Sequence, residues 1–369
     1  MRIAYLSQMA DVSAENGITK KIRSQCVAWQ AAGHSVRYFA LAPTLAVWPG
    51  LAPLETELVA RGSLVTRFFK APNLARAIKD WKPDIIYYRY GHHVTGLPRL
   101  FENIPTIAEI NSDDLNEYVL SFPLVKRIYH HLTRAWVLSR VAGFIPVTRE
   151  LGARFSSFGR PALPIGNSVE LAAFPHLSPS LAPPRLVFLG SPGGHWHGME
   201  RIAQLATLLP SIQFDVIGLD PAAWSQQAQT APTANITLHG MLPSARYAEL
   251  LANCTAALGS FALYKNQMHE ACPLKVREYL AVGLPVIAAY EDTDIPPHAD
   301  YFLRLPNDDS PLAPHLPRIL NFLKHWQHRR VPRVVVSHLD TSVKERERLA
   351  FMEEIRQSFI PVETFEPRQ

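Results

Sequence analysis

The feature that most constrains this chain is an alternation, run through twice, of short apolar segments with longer amphipathic ones. "RIAYLS" (2–7) is followed by "GITKKIRSQCVAWQAAG" (17–33), where Ile18, Ile22, Cys26 and Trp29 recur at helical spacing. Strand-like runs then come at "HSVRYFAL" (34–41), "DIIYYR" (84–89), "TIAEI" (106–110) and "GFIPVT" (143–148), with helical sequence between them. Strands that are apolar throughout need cover on both faces, and helical crossovers supply it. The pattern therefore implies an α/β fold with a doubly wound parallel sheet.

Around 171–185 the periodicity breaks at Pro175, Pro179, Pro183 and Pro184, which reads as a linker. The alternation restarts at "RLVFLG" (185–190) and continues through "QFDVIG" (213–218), "NITLHG" (235–240), a helix at 243–253, "AALGS" (256–260) and "LPVIAAY" (284–290). At 369 residues the chain is too long for one ordinary domain. Two Rossmann-like domains are expected, at 1–174 and 185–330, with a proline-rich hinge at 175–184 and a cleft between facing strand ends. The helical stretch within 338–369 opens on Asp340, Thr341 and Ser342 as cap candidates and is densely charged. It is expected to pack one face back towards the first domain.

Composition narrows the function. The chain is 47% hydrophobic and 19% charged, as a globular protein with sizeable cores would be. No apolar run reaches the roughly 18–20 residues of a membrane span, and the N-terminus reads as a first strand rather than a secretory signal. Three scattered cysteines, Cys26, Cys254 and Cys272, form neither a disulfide framework nor a CxxC pair, which points to the cytoplasm. The histidines include adjacent pairs, His92–His93 and His130–His131, whose members do not share a face, so no metal is expected. A net charge of +5 and a pI near 9.1 favour anionic ligands or an anionic membrane surface. Nothing indicates nucleic acid, since zinc fingers and aromatic–basic interleaving are both missing. Neither GxGxxG nor GxxxxGK occurs, which disfavours nicotinamide enzymes and P-loop NTPases.

The densest chemistry lies in "HEACPLKVREYLAVGLPVIAAY" (269–290), which sets Glu270 and Glu278 eight positions apart. Pro273 suits a first helical position and Gly283 the residue just past a helix end, so a helix is expected over 273–282. Glu270 then precedes the helix, Glu278 occupies its second turn, and the positive dipole end near Cys272–Lys275 lies between them. Carboxylate, phosphate-binding helix end and carboxylate make a layout for a sugar, a diphosphate and a ribose in a row. A solvated helix with ordinary charge decoration would carry the same residues.

In its surroundings the motif becomes specific. With "LAVGLPVI" after it, "LHGMLPSARYAELLANCTAALGS" (238–260) before it, "PIGNSVELAAF" (164–174) and "ENGITKKI" (15–22), nearly the whole chain resembles the family 4 retaining glycosyltransferases of the GT-B fold. The resemblance implies that Glu270 contacts the donor sugar, as the catalytic carboxylate, and that Glu278 binds the ribose. It puts Gly17 against the donor phosphates, with Lys20 or Lys21 nearby, although a tight turn would also explain Gly17. Such enzymes usually clamp the diphosphate with an arginine and a lysine after the first strand of the second domain. Here "FLGSPGGHWHGMER" offers Ser191 and His197 instead, so Lys275, Arg201, Arg277 or backbone N–H groups are expected to take over.

The first domain is expected to bind the acceptor. "AEINSDD" (108–114) ends a strand in Glu109, Asn111 and Asp113. Asn111 stands where the family often has a histidine, and would act by hydrogen bonding; capping a helix at "DDLNEYVL" is the alternative. Arg89 and His92 are further candidates by position. "PLVKRIYHHLTRAWVLSRV" (123–141) reads first as a core helix with a basic outer face, and second as a peripheral contact with the inner membrane face. The expected reaction is retaining transfer from a nucleotide diphosphate sugar to a saccharide or lipid-linked acceptor, in polysaccharide or glycolipid biosynthesis. No metal and no cofactor besides that donor are expected. The alternatives are a nucleotide-sugar epimerase of the same fold and a non-catalytic nucleotide-sugar-binding subunit.

Overall fold

A computed structural model of the chain describes residues 1–8, 16–42, 49–60, 64–191 and 193–361. The chain divides into two compact units, Met1–Gly166 together with Thr341–Gln369, and Asn167–Asp340.

The first unit is built on a parallel sheet in the order β3-β2-β1-β4-β5-β6. Its strands are β1 (Arg2–Gln8), β2 (Ser35–Ala42), β3 (Glu55–Ala60), β4 (Ile85–Arg89), β5 (Thr106–Ile110) and β6 (Gly143–Pro146). Helices α1 (Gly17–Ala31), α2 (Leu64–Trp81), α3 (Leu97–Phe101), α4 (Asp114–Ser121), α5 (Leu124–Leu138) and α6 (Arg149–Phe155) connect them. The Asn16 side chain starts α1 by accepting the Ile18 N–H at 2.8 Å. This turns Ile22, Cys26 and Trp29 into the core, where Trp29 packs against Tyr5 and Tyr87 with ring centroids 5.8 and 5.1 Å away.

The second unit repeats the plan in the order β12-β11-β10-β7-β8-β9. The strands are β7 (Arg185–Leu189), β8 (Gln213–Ile217), β9 (Ile236–Leu238), β10 (Ala256–Leu258), β11 (Val286–Ala288) and β12 (Phe302–Arg304). They alternate with α7 (Met199–Leu208), α8 (Pro221–Ala228), α9 (Ser244–Ala252), α10 (Leu274–Ala281) and α11 (Leu316–Trp326). After it the chain returns to the first unit as α12 (Thr341–Ser358), whose Phe351, Met352 and Ile355 join the core of Trp29 and Tyr5. Trp29 Nε1 donates to Glu345 at 2.9 Å, and Arg348 donates to the Gly166 carbonyl at 2.9 Å.

One departure from the sequence concerns a boundary. The first division falls at Gly166–Asn167, so the proline-rich run is part of the second unit. It is tied down there: Leu177 N–H donates to the Val282 carbonyl at 3.1 Å, and His176 Nε2 donates to that of Val331 at 2.8 Å. The second unit's two ends are also joined, with Val169 N–H donating to Leu339 at 3.0 Å and Leu171 N–H to the Asp340 carboxylate at 3.0 Å. Among the described residues no helix is long and apolar enough to cross a membrane.

Both sheets place their first strand in the interior. β1 lies between β2 and β4, and β7 lies between β8 and β10. The connections leave these strands towards opposite sides. In parallel α/β sheets ligands bind at that switch point.

Candidate active site

In the second unit the loops after β7 and β10 meet over the switch point. Phe261 N–H donates to the His197 carbonyl at 3.0 Å, and Ala262 N–H donates to that of Trp196 at 3.2 Å. Gly194 makes room for the His197 ring, because a Cβ there would lie 2.5 Å from it. α10 opens on this junction. Pro273 is its N-cap and no side chain caps it, so the positive end of the helix is left to other partners. Gly283, at φ +90°, follows the helix end as expected.

The first turn of α10 is fixed to the end of β7. Lys275 Nζ donates to the Leu189 carbonyl at 3.0 Å and sits 3.8 Å from the centre of the Phe188 ring. Leu189 N–H in turn donates to the Tyr279 hydroxyl at 2.6 Å. His197 lies beside this pair, its Nδ1 3.5 Å from Lys275 Nζ and its Nε2 3.4 Å from Ser191 Oγ. Burial pulls the Lys275 ammonium well below the ordinary lysine value. Burial, and then the charge on Lys275, pull His197 well below the ordinary histidine value, so its ring is neutral at neutral pH. Its surroundings leave His197 as a hydrogen-bonding and packing group.

Glu270 and Glu278 are both half-buried. The backbone at Glu270 is held by a parallel bridge to Glu291, in which Glu291 N–H donates to His269 at 2.9 Å and Ala271 N–H donates to Glu291 at 3.0 Å. Glu278 accepts from the Tyr247 hydroxyl of α9 at 3.4 Å.

Arg277 does not face a ligand. It is completely buried, and its guanidinium donates to both Asp292 carboxylate oxygens at 2.8 Å, to Asp294 at 3.1 Å and to the Asn167 carbonyl at 2.8 Å. Its place on the inner face of α10, opposite two aspartates, makes it a structural cation rather than a phosphate clamp. Cys272, Asp292 and Asp294 bring ligand-type atoms within 4.8 Å of one another, and the cation among them is this guanidinium. Burial pushes the Cys272 thiol up to about 12, so it stays protonated. Arg201 is buried as well, turned to Gln204 at 3.2 Å and the Asp309 carbonyl at 3.3 Å. Of the three cations proposed from the sequence, Lys275 is the one brought to the switch point.

In the first unit a buried charge cluster stands at the carboxyl ends of β4 and β5. Glu109 is fully buried and pairs with Lys21 at 2.8 Å and Arg89 at 3.1 Å, and it accepts from the Tyr87 hydroxyl at 2.8 Å. Burial alone would raise Glu109, but Lys21, Arg89 and Arg348 more than offset it and hold the carboxylate far below its usual range. Burial lowers Lys21 to about 8, which leaves it charged at neutral pH. Asn111 is oriented by the same pair: Nδ2 donates to Glu109 at 3.1 Å and Oδ1 accepts from Lys21 at 3.0 Å. The capping role considered for Asn111 belongs instead to Asp113, which accepts from Leu115 and Asn116 N–H.

Gly17 is the first residue of α1, and the loop residues 9–15 before it lie outside the described residues. Lys20 is exposed, whereas Lys21 lies one turn before buried Gln25 on the inner face. The His92 ring packs edge-on against Tyr118 at 5.0 Å. Tyr247 and Tyr279 were not singled out from the sequence; Lys21 and Glu109 each were, but not as a pair. Lys21 stands in register with the apolar stripe of α1 and Glu109 at the end of an apolar strand, but no local pattern couples the two.

Two Rossmann-like α/β units of this kind make up the GT-B fold. The lipopolysaccharide outer core galactosyltransferase WaaB superposes with a TM-score of 0.65 at 13% identity, over 96% of this chain and 100% of that one. HepE from Anabaena, solved in complex with UDP-glucose, gives 0.65 at 14% identity over 96% and 100%. UDP-GlcNAc 2-epimerase from Neisseria meningitidis, bound to UDP-GlcNAc, gives 0.54 at 12% over 96% and 100%. No curated protein sequence matches the chain. Residues 16–166, within the first unit, match the family described as "Glycosyl transferase 4-like domain".

Proposed function

We propose that the chain is a family 4 glycosyltransferase that passes a sugar, with retention of configuration, from a nucleoside diphosphate sugar to a saccharide or lipid-linked acceptor. The observation that carries this reading is the uncapped start of α10 at the β7/β10 switch point, with Lys275 in its first turn and Glu270 and Glu278 flanking it in the chain. The family match within the first unit and the fold shared with HepE support it. The bond from the anomeric carbon to the diphosphate breaks as the bond to the acceptor oxygen forms on the same face. The helix end and Lys275 take up the charge growing on the diphosphate, and a donor phosphate oxygen takes the acceptor proton. Glu270 holds the sugar hydroxyls and Glu278 the ribose. Asn111, set by Lys21 and Glu109, offers the acceptor hydrogen bonds.

The deciding experiment is release of free nucleoside diphosphate with and without acceptor. A transferase releases it on transfer to the acceptor. An epimerase, the second reading because the Neisseria enzyme shares the fold, alters the sugar with no acceptor present. A pure binding protein does neither. A melting-point screen across nucleoside diphosphates identifies the base, since a ligand of the native state raises the midpoint by mass action.

Two further outcomes are expected. Glu278→Ala should weaken nucleoside diphosphate binding about tenfold, the order lost with a hydrogen bond to a charged group. Calorimetric affinity equal to wild type would remove the ribose role. The second concerns pH. Burial keeps Lys275 well below the ordinary lysine value of 10.5 in the free chain, while a bound diphosphate favours the charged form. Above the free-state pKa binding must therefore take up a proton, and affinity should fall as pH rises through that window. Lys275→Met should bind more weakly and lose this slope; an unchanged slope in the variant assigns it elsewhere.

A further inference from the structure

α5 is turned inside out with respect to the expected core helix. Its buried side carries His130 and Arg134, which donate to Asp114 at 2.6 and 2.7 Å, together with Val137 and Leu138. Burial alone would raise Asp114, but His130 and Arg134 hold it low, so this contact is an ion cluster rather than an apolar seam. The side facing water is the apolar one. Leu124, Val125, Ile128, Leu132 and Trp136 fall on one helical stripe, and Val125 and Leu132 are 79% and 73% exposed. The neighbouring α4 adds exposed Val119 and Leu120. Contiguous apolar surface of this kind on a folded chain marks an interaction site.

The charges beside the stripe select the partner. α5 contains no acidic residue, and Lys126 and Arg127 stand on opposite flanks of its apolar side, with His131 exposed beside Arg127. An apolar stripe between cations lies in the interface of an anionic bilayer, side chains among the acyl chains and cations at the headgroups. We propose that the outer face of α5, with the exposed end of α4, docks peripherally on an anionic lipid bilayer. This does not depend on the sugar-transfer reading, because lipid binding is measured without nucleotide sugar or acceptor.

The test is co-sedimentation of the full chain with vesicles of phosphatidylcholine alone and with phosphatidylglycerol added. Binding is expected to the phosphatidylglycerol vesicles, weakening as salt is raised. Val125→Glu/Leu132→Glu should reduce that partitioning about tenfold or more, and Lys126→Glu/Arg127→Glu by about as much. These side chains are at the surface, so the melting temperature should be that of wild type. No binding, equal binding to both vesicles, or binding unchanged in Val125→Glu/Leu132→Glu overturns the proposal. So does a wild-type dimer that this double variant turns into monomers, which would make the partner a second copy.

Discussion

Glu270→Gln is expected to lower turnover about a hundredfold or more while changing nucleoside diphosphate affinity less than about threefold. The substitution keeps the shape of the side chain and removes its charge. The backbone around it is held by the bridge to Glu291, which a change at the side-chain tip leaves alone. If the carboxylate grips the sugar, its contact strengthens as positive charge builds at the reacting carbon, and the loss falls on kcat rather than on binding of the sugar-free nucleotide. Wild-type kcat in this variant would take Glu270 out of the reaction.

Arg277→Met should act through stability. It strips the cation from Asp292, which is itself buried, and from Asp294, and breaking a buried pair by removing one partner costs about 3–5 kcal/mol. For a unit of this size that is a drop in melting temperature on the order of 10 °C. The same variant separates two roles for the residue. A structural cation costs stability; a phosphate ligand would cost nucleotide affinity and leave the melting temperature in place.

These two residues show where sequence is legible and where it is not. The helix carrying Glu278 could be placed because Pro273 and Gly283 are local signals, and α10 begins within one residue of the expected position. Arg277 stands in the same motif, but its partners come 15 and 17 residues later, after another strand, and no local pattern couples them. Strands such as Ile85–Arg89 were legible because they are apolar up to their last residue. β3 was not, since its Glu55, Thr56 and Glu57 are exposed at a sheet edge, and β12 is only three residues long. For α5 the two faces were visible, but which one turns inward was not. That is decided by Asp114, whose hold on His130 and Arg134 draws the polar side in.

The return of α12 has a consequence for biosynthesis. The first sheet of the chain leaves the ribosome early, yet Trp29 and Tyr5 gain Phe351, Met352 and Ile355 as neighbours only once the tail has emerged. The middle segment, whose ends close on each other through Val169 and Leu339, has all of its own residues sooner. That availability runs against the usual vectorial order, in which the amino-terminal part matures first. Here the inserted unit has its full sequence first, and the core around Trp29 and Tyr5 waits for α12.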